Sequence, residues 1–100
     1  MDVTYRVDKD ILYIAIEGRI DASNAAEAEE KIFSIKNANP GTHTVVDAEN
    51  LEYISSAGLR VLLSAHKAMS KKGGMKVTHV NEMVSEVFDV TGFADMLNIE

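Results

Sequence analysis

Hydrophobic and polar positions alternate from the first residues. Val3, Tyr5 and Val7 stand between Thr4, Arg6 and Asp8, the period-two pattern of a half-buried strand. Asp8-Lys9-Asp10 reads as a turn. Residues 11–16 (ILYIAI) are denser in β-branched and aromatic side chains, which suits a more central strand ended by Gly18. A helical period follows: Ala25, Ala28, Ile32 and Ile35 share one face of a helix running to about Ile35, while Glu29, Glu30 and Lys36 fall largely away from it. Ser23 or Asn24 is its N-cap, and with Asn24 as cap, Glu27 stands where a capping box needs it.

After a loop over Asn37 to Gly41 with the lone proline, Pro40, residues Thr44, Val45 and Val46 form a short buried strand ending at Asp47. A connector carrying Leu51 and Ile54 leads to the strongest helical signal in the chain. Leu59, Leu62, Leu63, His66 and Met69 lie at helical spacing, with Arg60, Ser64, Lys67 and Lys71 mostly on other faces. Lys71 and Lys72 suit a helix C-terminus, and Gly73-Gly74 supplies the stop. Residues 75–80 read as a strand, and Asn81 caps a helix with Val84, Val87 and Phe88 inward, ended by Gly92. The last eight residues, FADMLNIE, have room for one more turn and a short edge strand. The predicted order is β-β-α-β-α-β-α with a weak final strand. Strands alternating with helices imply an α/β fold whose largely parallel sheet of four to five strands is joined by right-handed crossovers. Functional loops then gather at the strands' carboxyl ends, which here carry Asp21 and the stretch from Asp47 to Ser56.

One hundred residues, 46% of them hydrophobic, make a single domain spanning the whole chain. There is no cysteine, which excludes disulfides, thiolate metal sites and a cysteine nucleophile. No signal-peptide layout opens the chain and no apolar run reaches membrane-spanning length, so a cytoplasmic protein without a membrane role is expected. The net charge of −6 is unevenly placed: residues 1–52 hold 11 acids and 5 bases, residues 53–100 hold 5 of each. That surplus repels phosphate backbones, which argues against nucleic acid and for a basic protein partner.

Ser56, just before an apolar-periodic run, is by itself most simply an N-cap. Asp21 and Asp47 are by default loop carboxylates accepting from backbone N–H groups, and with Glu49 they form the one acidic set to weigh as a cation site. A serine hydrolase needs a base within reach of its nucleophile. His66 lies ten residues beyond Ser56, about 15 Å along one helix, and is better placed at the edge of the core with its polar atoms satisfied. His43 and His79 have no motif context. No enzyme is read here, and no cofactor or metal.

Residues 45–63, VVDAENLEYISSAGLRVLL, resemble the signature of the STAS family, the anti-sigma factor antagonists. Residues 18–21 (GRID) resemble that family's Gly-x-x-Asp after its second strand, and residues 87–93 (VFDVTGF) its motif near the end of the following helix. The resemblance implies a STAS-type fold with helices mainly on one face of the sheet. It implies a module that sequesters an anti-sigma factor serine kinase and is released when a serine at the start of the central helix is phosphorylated. A serine phosphatase would reverse the step, and ATP would belong to the partner. Alignment on Gly58 and Leu59 places the acceptor at Ser56. Family members often carry Asp before that serine where this chain has Ser55, so Ser55 is a second candidate. Asp21, Asp47, Ser55, Ser56, Gly58 and Arg60 are the expected docking residues. The alternative is a STAS scaffold or ligand-sensing module, never phosphorylated, in a transport or stress-signalling assembly.

Overall fold

A computed structural model describes residues 1–92; the expected final turn and edge strand lie outside the described residues. The described elements are β1 (Asp2–Asp8), β2 (Ile11–Ile20), α1 (Ala25–Ala38), β3 (His43–Asp47), β4 (Leu51–Ile54), α2 (Ser56–Met69), β5 (Met75–Thr78) and α3 (Glu82–Thr91). Their order is the expected one with β4 added, since the connector carrying Leu51 and Ile54 is itself a strand. Four residues hold too little alternation to announce a strand; pairing with β2 makes it one.

Strands run side by side as β1-β2-β3-β5, with β4 paired to β2. β1 is antiparallel to β2, and the other pairings are parallel. β2 uses two partners in succession: residues 11–15 pair with β3, and residues 18–20 pair with β4 after a register shift at Gly18. Gly18 therefore does not end the strand. Its φ of +90° bends β2 through a bulge, a backbone state open to glycine at little cost.

The core occupies one face of this sheet. Leu12, Ile14 and Ile16 of β2, Val46 of β3 and Met75 and Val77 of β5 join buried residues of all three helices in a single cluster. Tyr13 and Ala15 alternate with them and face the other way, as the period of a strand requires. The half-burial expected of β1 is met only at Val3, since Tyr5 and Val7 are exposed. Among the described residues β1 is an edge strand, and α1 leaves its outer part open. Among the described residues no helix is long and apolar enough to cross a membrane.

Of the buried polar groups, Lys36 departs from the sequence pattern, whereas Thr44 lies in the strand expected to be buried. Lys36, expected on the polar face of α1, is buried, and its Nζ donates to the carbonyl oxygen and hydroxyl of Thr42. This ties the last turn of α1 to the strand that follows. Burial lowers the ammonium's pKa below the ordinary lysine value, and the charge of Lys72 adds to the effect. Thr44 is fully buried on the core face, and among the described residues its hydroxyl oxygen has no hydrogen-bond partner. An unsatisfied buried hydroxyl costs about 1–3 kcal/mol. Thr44→Val removes it while keeping the branched shape, so the variant should be more stable by about 1 kcal/mol. For a domain of this size that is a rise of roughly 4–8 °C in Tm by calorimetry.

Candidate functional site

The pairing of β2 with β4 assembles the site. Ile20 and Ile54 are opposite each other, and the Ser55 N–H donates to the Ile20 carbonyl at 2.8 Å. Asp21 follows Ile20 and the two serines follow Ile54, so the strand ends bring Asp21 and Ser55-Ser56 together. Asp47 does not join them. It pairs with Ala15, five positions back along β2, or roughly 16 Å at ~3.3 Å per residue. The expectation of one edge shared by all the acids and serines holds for Asp21 and fails for Asp47, because β3 and β4 run along β2 one after the other.

Each serine has a distinct place at the start of α2. Ser55 is the N-cap: its backbone is extended, with φ −89° and ψ 176°, and its Oγ accepts from the Gly58 N–H at 3.3 Å. Ser56 is the first helical residue, and it is exposed. The capping role read for Ser56 thus belongs to its neighbour. Arg60, also exposed, is four residues on, one turn along the same helix face. No acidic side chain occupies the first turn of α2, leaving the positive end of the helix dipole uncompensated there.

Gly58 is buried in the first turn of α2. A Cβ at this position would sit 2.6 Å from Ile54 Cγ1 and 2.8 Å from Ile20 Cγ2. The glycine lets the first turn of α2 lie directly on the two strands that carry the site.

Asp21 organises the opposite side. Its Oδ1 accepts from the Ser23 hydroxyl at 2.5 Å and from the Ser23 N–H at 2.9 Å. The Ser23 hydroxyl bond, then the backbone bond, holds its carboxyl below the ordinary aspartate range. Asn24 heads α1 without a side-chain cap to the helix: its Oδ1 accepts from the Asp21 N–H, and its Nδ2 donates to the Arg19 carbonyl. The capping box with Glu27 is not formed, because Asn24 is engaged with the chain before it. At the more distant corner, Asp47 Oδ1 accepts from the Glu49 N–H at 3.0 Å and lies 3.2 Å from His79 Nδ1. Neighbouring hydrogen bonds join the same loops: the Ala48 N–H donates to the Thr78 carbonyl and the Asn81 side-chain Nδ2 to the Leu51 carbonyl.

Among the described residues no group of three or more His, Asp or Glu side chains is arranged to hold a metal ion. The histidines stand apart from the serines: His79 is beside Asp47, and His43 Nδ1 is 2.8 Å from the Gly73 carbonyl. His66 packs at the core edge as expected, but its Nδ1 is buried with no hydrogen-bond partner among the described residues. The sequence did not identify β4 or the Ser55 cap. The S-S-x-G spacing carried the signal for the latter, since a cap accepts from the N–H three residues on.

This arrangement, a parallel strand end feeding a serine-headed helix beside an aspartate loop, defines a small α/β domain. The STAS domain family model matches residues 2–100, and the chain belongs to that family. The anti-sigma-B factor antagonist of Bacillus subtilis is 27% identical over 100 residues, covering 99% of this chain and 90% of that protein. An anti-sigma factor antagonist from Mycobacterium paratuberculosis superposes with a TM-score of 0.86 at 19% identity, covering 98% of this chain and 83% of the other. The anti-sigma factor antagonist SpoIIAA in its unphosphorylated form gives 0.78 at 17% identity, covering 99% and 88%. SpoIIAA has also been solved in the phosphorylated form.

Gly58→Ala should destabilise the domain by about 1–3 kcal/mol through overpacking against Ile20 and Ile54, readable as a lowered denaturation midpoint. The Asp21 carboxyl should titrate below the ordinary aspartate value in a carbon-detected NMR titration. Because its folded pKa is depressed, its stabilising contribution is present above the unfolded value and is lost as pH falls through the folded one.

Proposed function

We propose that this chain is an anti-sigma factor antagonist whose partner is an anti-sigma factor with serine kinase activity, and that phosphorylation of Ser56 releases the two. The carrying observation is the division of labour between the serines. Ser55 spends its oxygen on the Gly58 N–H, whereas Ser56 is exposed at the first helical position. An acceptor must present its hydroxyl to a kinase, and Ser56 does so without loss of a cap. Membership of the STAS family and curated relatives named as anti-sigma factor antagonists support the same reading.

The partner supplies ATP. The Ser56 oxygen attacks the γ-phosphorus, the bond to the β-γ bridging oxygen breaks, ADP leaves and the hydroxyl proton passes to solvent or to a base of the kinase. The product carries about −1.5 to −2 charges near pH 7. It sits at a helix N-terminus, where the dipole and free N–H groups favour an anion, so the fold tolerates it. Arg60, one turn away, is placed to meet either the phosphate or a partner carboxylate. A serine phosphatase would restore the binding form. Asp21 forms the near side of the docking surface and Asp47 a more distant part.

Intact-mass analysis after incubation with the cognate kinase and ATP tests this. One phosphate should appear on the wild type and on Ser55→Ala, and none on Ser56→Ala. Ser55→Ala should be less stable by about 0.5–2 kcal/mol through loss of the cap. An unmodified wild type, with the kinase active on another substrate, would leave an unphosphorylated binding module. Phosphate retained on Ser56→Ala but absent from Ser55→Ala would move the acceptor to Ser55.

A further inference from the structure

Among the described residues β1 forms an open edge of the sheet, far in character from the serine-headed helix. Among the described residues β1 pairs with β2 alone, leaving one row of its backbone N–H and C=O groups without a strand beside it. Such an edge is a template for another strand. Tyr5 and Val7 are 54% and 46% exposed, so α1 does not overhang it. On the helix side an open groove of about 580 Å³ runs between β1 and α1, floored by Val3, Tyr5 and Ile35. On the other side Arg6 lies over the Tyr13 ring, 4.0 Å from its centroid.

The sequence of β1 favours one occupant. In an antiparallel self-pairing every cross-strand pair occurs twice, because the two-fold axis makes the contact self-complementary. Centred on Thr4, such a pairing sets Asp2 against Arg6 on one face and Val3 against Tyr5 on the other. Both are favourable kinds of cross-strand pair, opposite charges in one case and aromatic with β-branched in the other. Centred one residue later, on Tyr5, it sets Asp2 against Asp8 twice and leaves Arg6 opposite Thr4. We infer that β1 is a homodimerisation strand, pairing antiparallel with β1 of a second copy about Thr4 to continue the sheet across the two-fold axis. Tyr5 of the second copy then lies across from Val3 at the mouth of the groove.

Sedimentation velocity over a concentration series, with folding checked by circular dichroism, tests the strand and its register together. The wild type should show a concentration-dependent monomer–dimer equilibrium. Arg6→Asp, which faces Asp2 with a like charge, should shift it to monomer, and the Asp2→Arg/Arg6→Asp double variant should restore the dimer. Thr4→Cys, in a chain without other cysteine, should form a disulfide-linked dimer on oxidation, and it gives an independent reading if Arg6→Asp does not fold. A wild type monomeric throughout the series overturns the inference. So does a folded Arg6→Asp that dimerises like the wild type, a folded double variant that stays monomeric, or a Thr4→Cys protein that does not cross-link.

Discussion

A strand that must serve two partners in succession needs a place to change direction, and in this domain that place is Gly18. Upstream of it β2 pairs with β3; downstream it pairs with β4. The positive φ at Gly18 permits the bulge that separates the two registers. Were β2 regular throughout, its last residues would continue along the line set by β3. The Ile20 carbonyl would then not meet the Ser55 N–H. From that one bond follow the proximity of Asp21 to the serines, the seating of α2 on Ile20 and Ile54, and the requirement for glycine at position 58. The site is thus a consequence of how the sheet changes partner.

What the sequence made legible was what periodicity and capping chemistry govern. α2 and α3 follow their apolar repeats, and Asn81 caps α3 by accepting from the Val84 N–H at 2.8 Å. β4 was hidden because four residues cannot establish a period; its strand character comes from β2. Lys36 was misplaced because a lysine reads as polar, whereas a long apolar stem allows the ammonium to reach buried oxygens of Thr42. Within the site, the serine pair was visible as a pair. Its internal assignment needed backbone geometry, since either hydroxyl could head a helix and only the extended conformation at Ser55 decides which does. The distance between Asp47 and the serines was invisible for the same reason as β4, as both depend on the register along β2.

The electrostatics of the proposed switch have a consequence of their own. The surplus negative charge lies in residues 1–52, and Asp21 stands beside the serines. Adding a phosphate there makes the surface more acidic, which by charge alone would strengthen attraction to a basic partner. Release therefore cannot come from long-range attraction. It must come from the contact itself. A hydroxyl buried in an interface needs only one or two hydrogen bonds, whereas a phosphate brings close to two charges and its hydration shell. Burying it without matched donors is costly, and the neighbouring Asp21 carboxylate adds like-charge repulsion that a partner packed over both cannot screen with water. The partner surface best suited to such a switch is one that closes over Ser56 with little positive charge directly above it. Its bases would lie further out, where they meet the acids of the first half of the chain and guide docking. A kinase that docked through a basic pocket centred on Ser56 would hold the phosphorylated form more tightly than the free one, and the switch would run backwards.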